Sequence, residues 1–488
     1  MKKIISVLSV LALVGMPTTT AFADSITQDT IGSSGTTSVS YDIAPSYAVV
    51  IPSGISLDSS QTVEIKMTGL TDTEKPKLEY DQTVSVSLSN AKNGFSGSDG
   101  KTLSLKSGMD SIHYTITGAN GKTGKDDVVA KFKYDPNKTL NDYKQTLTFA
   151  LTSTVQYAGN YTDQLTFTIS DGKVDISKLT GAYQAQDGDI LTGKGNADTH
   201  ITVADGATVT LRDCDITAIT DDGYHKWAGI TLEGDGTLIL EGTNKVKGGY
   251  DEYPGIYVPE NKTLTIKGIG SLEAGSNGWS PAIGGGYKIS CGNITILDGT
   301  VTANGGKDGA GIGGGTSSSC GNITISGGTV TANGGQWSSG IGSGYGAESS
   351  CGNITITGGI VTANGGGDGG AAIGTGVEGS TCRDITISGG IVTANAGIGC
   401  AGIGAGEYNC SCGNITISGG TVTANGGDQA AGIGSGYYDS ECSDITIKNT
   451  VTKVEATKGA NAPNSIGAGN YSSCGTVTIE DGANVTQK

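Results

Sequence analysis

Cys320-Gly321-Asn322-Ile323-Thr324-Ile325-Ser326-Gly327-Gly328-Thr329-Val330-Thr331-Ala332-Asn333-Gly334-Gly335, followed by Gly340-Ile341-Gly342, is one copy of a pattern that recurs to the end of the chain. Its cysteine returns at Cys291, Cys320, Cys351, Cys382, Cys412, Cys442 and Cys474, at intervals of 29 to 32 residues. A unit this short cannot bury an apolar face alone, so it must stack on its neighbours as a solenoid. Strict alternation sets the two strands of each coil: Ile323, Ile325, Val330 and Ala332 face inward, and Thr324, Thr329 and Thr331 face outward. Asn333-Gly334-Gly335 is expected to turn the next corner, because asparagine and glycine accept positive φ.

A second series fixes the extent of the repeat. A Gly-Ile or Ala-Ile step, Ser-Ile in the last coil, falls at Ile230, Ile256, Ile283, Ile312, Ile341, Ile373, Ile403, Ile433 and Ile466, at intervals of 26 to 33 residues. Nine coils at about 4.8 Å per rung would stack to roughly 40 Å. From cysteine to central isoleucine the count is 21 or 22 for most coils, so the variable length lies in the loop after Gly-Ile-Gly. Insertions gather on that edge, where repeat proteins commonly bind their ligands.

The chain before the repeat is different. Lys2-Lys3, the apolar run Ile4 to Val14 and Ala21-Phe22-Ala23 make the three parts of a secretory signal, with cleavage expected after Ala23. The apolar run is too short for a membrane span of roughly 20 residues, so no membrane insertion is expected. Residues 24–171 lack cysteine and show short alternating segments at Thr62–Met67, Val84–Leu88, Val128–Tyr134, Gln145–Leu151 and Gln164–Ile169, the pattern of an antiparallel β-sandwich. Residues 172–199 read as connection and N-terminal cap, and 200–488 as the repeat domain. The chain is thus all-β. No sorting motif follows the last coil, so attachment to a cell wall would be non-covalent or through the sandwich.

The 83 glycines lie at fixed places between apolar strands and act as turns. Net charge is -17, and loss of the two signal lysines makes it -19, which disfavours nucleic acid as a partner. Seven of the ten cysteines stack in register with side chains pointing the same way, a poor geometry for disulfides, so a buried row of free thiols is expected. Cys400 and Cys410 could pair with each other. Cys410-Ser411-Cys412 is too tightly spaced for zinc, and all three histidines precede the repeats.

Gly255-Ile256-Tyr257-Val258-Pro259, Lys262-Thr263-Leu264-Thr265-Ile266, Pro281-Ala282-Ile283-Gly284-Gly285-Gly286 and the Cys-Gly-Asn-Ile-Thr-Ile series resemble the pectate-lyase-like parallel β-helix, and in particular glycine-rich carbohydrate-binding surface proteins of Gram-positive bacteria. The resemblance covers about Ile201 to the end. It implies a right-handed parallel β-helix and a glycan ligand. In the sandwich, Tyr157-Ala158-Gly159-Asn160-Tyr161-Thr162-Asp163 and Leu165-Thr166-Phe167-Thr168 resemble the closing hairpin of pilin-like and surface-adhesin domains.

Candidate binding residues follow from the repeat register. Trp279 and Trp337 lie four residues before their isoleucines and two coils apart, with Asp308 at the same place between them. Two rungs span about 10 Å, close to one disaccharide of a β-linked glucan. Tyr287, Tyr345 and Tyr437 sit four residues after their isoleucines, and Trp227 precedes Ile230 by three. Aromatic faces with polar tips suit stacking on sugars. The alternative is that the rings shield a neighbouring coil, since Gly369, Gly399 and Gln429 replace the aromatic elsewhere.

A polysaccharide lyase or hydrolase would need paired carboxylates, and the best local cluster is Asp221-Asp222 with Tyr224 and His225. No Gly-His-Gly segment accompanies it, and Arg212 and Arg383 are the only arginines. Asp221, Asp222, Asp251 and Glu252 are expected as solvated loop charges. Their oxygens would suit calcium, but no loop carries a calcium signature, so no catalytic residue, metal site or required cofactor is assigned. Outward Thr-x-Thr pairs at Thr300/Thr302, Thr329/Thr331 and Thr421/Thr423 resemble ice-binding arrays, but Ile360 and Ile391 interrupt them. Three classes remain: a secreted or loosely wall-associated, monomeric, non-catalytic binder of polysaccharide or cell-surface glycan; an enzyme of the same fold; and an adhesive spacer that holds a protein partner.

Overall fold

The computed structural model describes Ile4–Val7, Leu13–Val14 and residues 47–488, apart from 52–53, 58, 70–72, 79–82, 120, 126, 155–159, 220–223, 225 and 250. The chain divides into two compact units, Met1–Gly172 and Lys173–Lys488.

In the first unit, alternating segments pair into two sheets. One orders Val128–Lys133, Thr83–Ala91, Gln164–Ser170, Ile4–Val7 and Gly54–Ser56. The other runs from Leu13–Val14 through Tyr47–Val50, Ser60–Thr68, Lys144–Leu151, Asp110–Gly118 and Thr102–Ser107 to Phe95–Ser96. Every pairing is antiparallel except Ile4–Val7 with Gln164–Ser170. Cleavage after Ala23, which lies outside the described residues, would take the Ile4–Val7 strand away.

Between the sheets, large rings fill the core: Tyr47, Tyr114, Tyr143, Tyr161 and Phe149 are all buried. The Tyr114 hydroxyl donates to Asp163 Oδ2 at 2.8 Å, and Asp163 Oδ1 accepts the backbone N–H groups of Asn93 and Gln164. Tyr161 donates to Asp110. The closing segment therefore contributes core residues at Tyr161 and Asp163.

The second unit is a parallel β-helix. Its Ile-Gly steps form an eleven-stranded parallel ladder, nine of whose rungs carry the isoleucine series and two of which, Ala182–Ala185 and His200–Val203, precede it. The stretch read as connection and cap thus contains paired strands, including Lys173–Asp175, which pairs with Ile190–Lys194. The Ile-Thr-Ile and Val-Thr-Ala strands build two further ladders, joined where Ala207–Ile216 pairs with both Gly236–Glu241 and Thr243–Lys247. A fourth, six-stranded ladder is made by the cysteines and the residue before each, from Ser319–Cys320 to Ser473–Cys474.

Equivalent residues stack without a slip: Ile323 on Ile354, Val330 on Val361, Ile341 on Ile373. All six are buried, whereas Thr329 is exposed and Thr324 and Thr331 are half-buried, as the alternation requires. At about 25 cal/mol per Å² of apolar area, each such column adds a comparable increment per coil.

One corner is set differently from the sequence expectation. Asn333, Gly334 and Gly335 do not adopt positive φ. The asparagine instead belongs to a side-chain amide ladder, in which each Nδ2 donates to the Oδ1 of the coil before, from Asn333 to Asn304 through Asn425 to Asn395, at 2.7 to 2.9 Å. Left-handed glycine is needed elsewhere. Gly328 at φ 76° makes the Gly-Gly turn, and Gly342 at φ 140° follows the central isoleucine, where a Cβ would be driven into the carbonyl oxygen of Gly374.

The expectation of an entirely free thiol row also needs correction. Cys291 and Cys320 are bonded, their Cα atoms 4.6 Å apart, because the rung spacing falls at the lower end of the range a disulfide spans. Cys400 and Cys410 are not paired; both are buried thiols, and Cys400 Sγ accepts the N–H of Gly370.

Candidate functional site

The loop after each Gly-Ile-Gly step turns through one recurrent bend. Five residues past the central isoleucine, the backbone is left-handed at Asn261, Lys288, Ser317, Gly346, Glu378, Tyr408, Tyr438 and Tyr471, with φ between 52° and 102°. Glycine occupies this place freely, while a bulky residue there pays about 1 kcal/mol or more of strain. Three of the eight are nevertheless tyrosines, and all three rings are exposed, Tyr471 by 69%. The repeat points to Tyr287, Tyr345 and Tyr437, one residue earlier, four past their isoleucines. The common offset of Tyr408, Tyr438 and Tyr471 was readable, but their backbone strain was not.

These bends line one edge of the solenoid with rings. Trp279 packs against Tyr287 with centroids 5.2 Å apart, and Trp337 repeats the pair with Tyr345 at 5.6 Å. Tyr408, Tyr437, Tyr438 and Tyr471 form a cluster with centroids 5.8 to 6.2 Å apart. Lys288 Nζ lies 5.0 Å from the Tyr287 centroid and Lys307 Nζ 5.9 Å from that of Trp337. Trp279 is exposed, and Trp337, Tyr287 and Tyr345 are half-buried.

The coils that lack an aromatic four residues before the isoleucine have a steric reason. Val377 Cγ1 lies 2.8 Å from where a Cβ on Gly369 would stand, and the Glu407 carboxylate occupies the same space over Gly399. Glycine there makes room for a side chain eight residues further along the same coil.

Carboxylates accompany the rings. The Tyr345 hydroxyl donates to Glu378 Oε2 at 2.5 Å, and this bond pushes the phenol up to about 12. Trp337, Asp368, Val377, Glu378, Glu407 and Tyr408 surround a shallow cleft of ≈ 150 Å³. Burial raises the Glu407 carboxyl above its ordinary range. Asp308, aligned with the two tryptophans in sequence, is only 6% exposed. Its Oδ1 has no hydrogen-bond partner among the described residues, and burial raises its pKa.

Two other residues serve the scaffold. The Trp227 ring stacks on His200 at 5.1 Å, and its indole N–H donates to the Thr199 carbonyl, so it belongs to the wall of the early coils. Asp251, expected as a solvated charge, anchors the Trp279 loop: its Oδ1 accepts the Gly278 N–H and its carbonyl accepts that of Trp279. Asp221, Asp222 and His225 lie outside the described residues, and Tyr224 is exposed. Among the described residues no group of three His, Cys, Asp or Glu converges as for a metal, and no helix is long and apolar enough to cross a membrane.

Fold and edge together define a parallel β-helix repeat protein. A family model described as "Beta helix repeat" matches residues 294–316, 323–345, 385–407 and 415–437. Each matched segment starts at the Ile-Thr-Ile strand and stops just before the left-handed bend, leaving both the bend and the cysteine outside. No curated protein and no solved structure matches the chain.

Proposed function

We propose that the protein is an exported, non-catalytic glycan-binding protein of the cell surface or its surroundings, and that the loop edge of the solenoid is the binding face. The observation that carries this reading is the set of exposed tyrosines held at left-handed positions, where glycine would be free of strain. Together with the two Trp–Tyr pairs they present a line of aromatic faces at rung multiples, suited to a polymer with a repeat of its own. Glu378, Glu407 and Asp368 beside the rings offer acceptors to sugar hydroxyls and disfavour polyanionic chains, so the ligand is a neutral polysaccharide. The resemblance to glycine-rich carbohydrate-binding surface proteins and the signal-like N-terminus support export and a glycan ligand.

Affinity electrophoresis through gels containing cellulose-derived glucan, pectin, mucin or cell-wall glycan tests the reading. Retardation is expected in a neutral glycan gel and is lost in Trp279→Ala/Trp337→Ala. Equal retardation of protein and variant would remove these tryptophans from the site.

A further inference from the structure

The cysteine ladder has a property that neither the fold nor the binding edge uses. Cys320, Cys351, Cys382, Cys412, Cys442 and Cys474 are paired rung to rung in one unbroken parallel register, and Cys291 is bonded to the first of them. Strand spacing of about 4.8 Å holds every neighbouring pair near the separation that a disulfide spans. Each interior cysteine thus has two equivalent partners, one above and one below. The column is odd, with seven members.

We propose that this column is a thiol–disulfide relay, in which three rung-to-rung disulfides and one thiol share seven positions and the thiol moves along the solenoid by exchange. With three bonds formed, the unpaired thiol can rest only at Cys291, Cys351, Cys412 or Cys474; any other place would strand a second thiol. One step is balanced within the column. The Cys351 thiolate attacks Cys320 Sγ, the Cys320–Cys351 bond forms as the Cys291–Cys320 bond breaks, and Cys291 leaves as the new thiolate. The proton given up by Cys351 is replaced from water at Cys291, and no electrons are gained or lost. Attack at a disulfide sulfur proceeds along the S–S axis, and the ladder stacks successive cysteines in one column. Closing the bridges does require an oxidant: each consumes one small-molecule disulfide of the glutathione type, which departs as two thiols carrying the two protons.

Access and charge both favour the exchange. Cys320, Cys351 and Cys382 line a surface groove of ≈ 550 Å³, and Cys382 and Cys412 line a second of ≈ 480 Å³. Cys474, at the end of the column, is the only one of the seven that is half-exposed. Hydrogen bonding from Cys382 and then from Cys442 lowers the Cys412 thiol below its ordinary range. A reaction at Cys474 would be relayed to Cys291, six rungs or about 29 Å away.

The test uses the full chain oxidised with glutathione disulfide, quenched in acid, alkylated in denaturant and mapped by mass spectrometry of the bridged peptides. Of ten cysteines, four should alkylate: Cys214, Cys400, Cys410 and one member of the column. Cys320 should be found bonded to Cys291 in some molecules and to Cys351 in others. Alkylation of Cys474 before the acid quench should collapse the population to Cys291–Cys320, Cys351–Cys382 and Cys412–Cys442, and Cys474→Ser should give the same three pairs. Cys291→Ser should shift every bond by one rung, to Cys320–Cys351, Cys382–Cys412 and Cys442–Cys474. Retention of Cys351–Cys382 and Cys412–Cys442 in Cys291→Ser, with Cys320 and Cys474 left as thiols, would overturn the relay. So would ten alkylated thiols in the oxidised native chain, a result that does not depend on any variant folding.

Discussion

The sandwich and the solenoid bury apolar surface by opposite means. The sandwich closes over large, dissimilar rings drawn from distant parts of the chain, Tyr47, Tyr114, Phe149 and Tyr161 among them. The solenoid repeats Ile, Val, Ala and Cys in columns, and each coil touches mainly the coils before and after it. A residue in the first core holds a whole domain, whereas a residue in the second holds a few rungs. The same contrast tells where specific binding can evolve without harm: the loop edge of the solenoid tolerates changes of length and side chain that a sandwich core does not.

The largest effect should come from Tyr114→Ala, which empties a ring-sized space and leaves Asp163 without its hydroxyl donor. A loss of about 4 kcal/mol is expected, and the calorimetric transition of the sandwich should move as one unit while that of the solenoid stays. Ile325→Ala should cost about 3 kcal/mol, but hydrogen exchange should quicken only in its own and adjacent coils. Uniform loss of protection over the whole solenoid would break the contrast.

A smaller effect concerns pH. Desolvation raises the Asp163 carboxyl above its unfolded value near 3.8, so its contribution to stability is full below that value and declines as pH rises through the folded pKa. Asp163→Asn has no such titration and should gain on the native protein as pH is raised from 3 to 7 in urea melts. A difference that shrinks over that range would contradict the assignment. The smallest is Tyr408→Gly, which should stabilise its coil by about 1 kcal/mol by relieving a left-handed tyrosine, while weakening retention on glycan. Retention unchanged in this variant would mean that the tyrosine serves no ligand.

Much of this fold could be read from period and alternation. The inward places of Ile323, Ile325, Val330 and Ala332 follow from a two-residue rhythm, and the sandwich strands at Ser60–Thr68, Thr83–Ala91, Val128–Lys133, Lys144–Leu151 and Gln164–Ser170 follow from the same rule. What period alone misses is contact between coils. Asn333 has the composition of a turn, yet its amide partner sits one rung away, 29 residues distant, and this bond outweighs the local preference. Asp308 shares its offset with Trp279 and Trp337, but the offset fixes a rung position and not the depth to which neighbouring coils bury it. The disulfide at Cys291–Cys320 was missed because ladder spacing lies so near the limit of what the bond allows.

The central claim is that the interior columns carry stability and the loop edge carries binding. Its most direct test is a glycan array probed with the protein and with Trp279→Ala/Trp337→Ala, alongside hydrogen exchange on both. The account predicts binding to neutral polysaccharides by the protein, loss of that signal in the variant, and unchanged protection of the isoleucine, valine and cysteine ladders. Equal array signals from the two proteins, or a variant whose interior ladders lose protection together with binding, would contradict it.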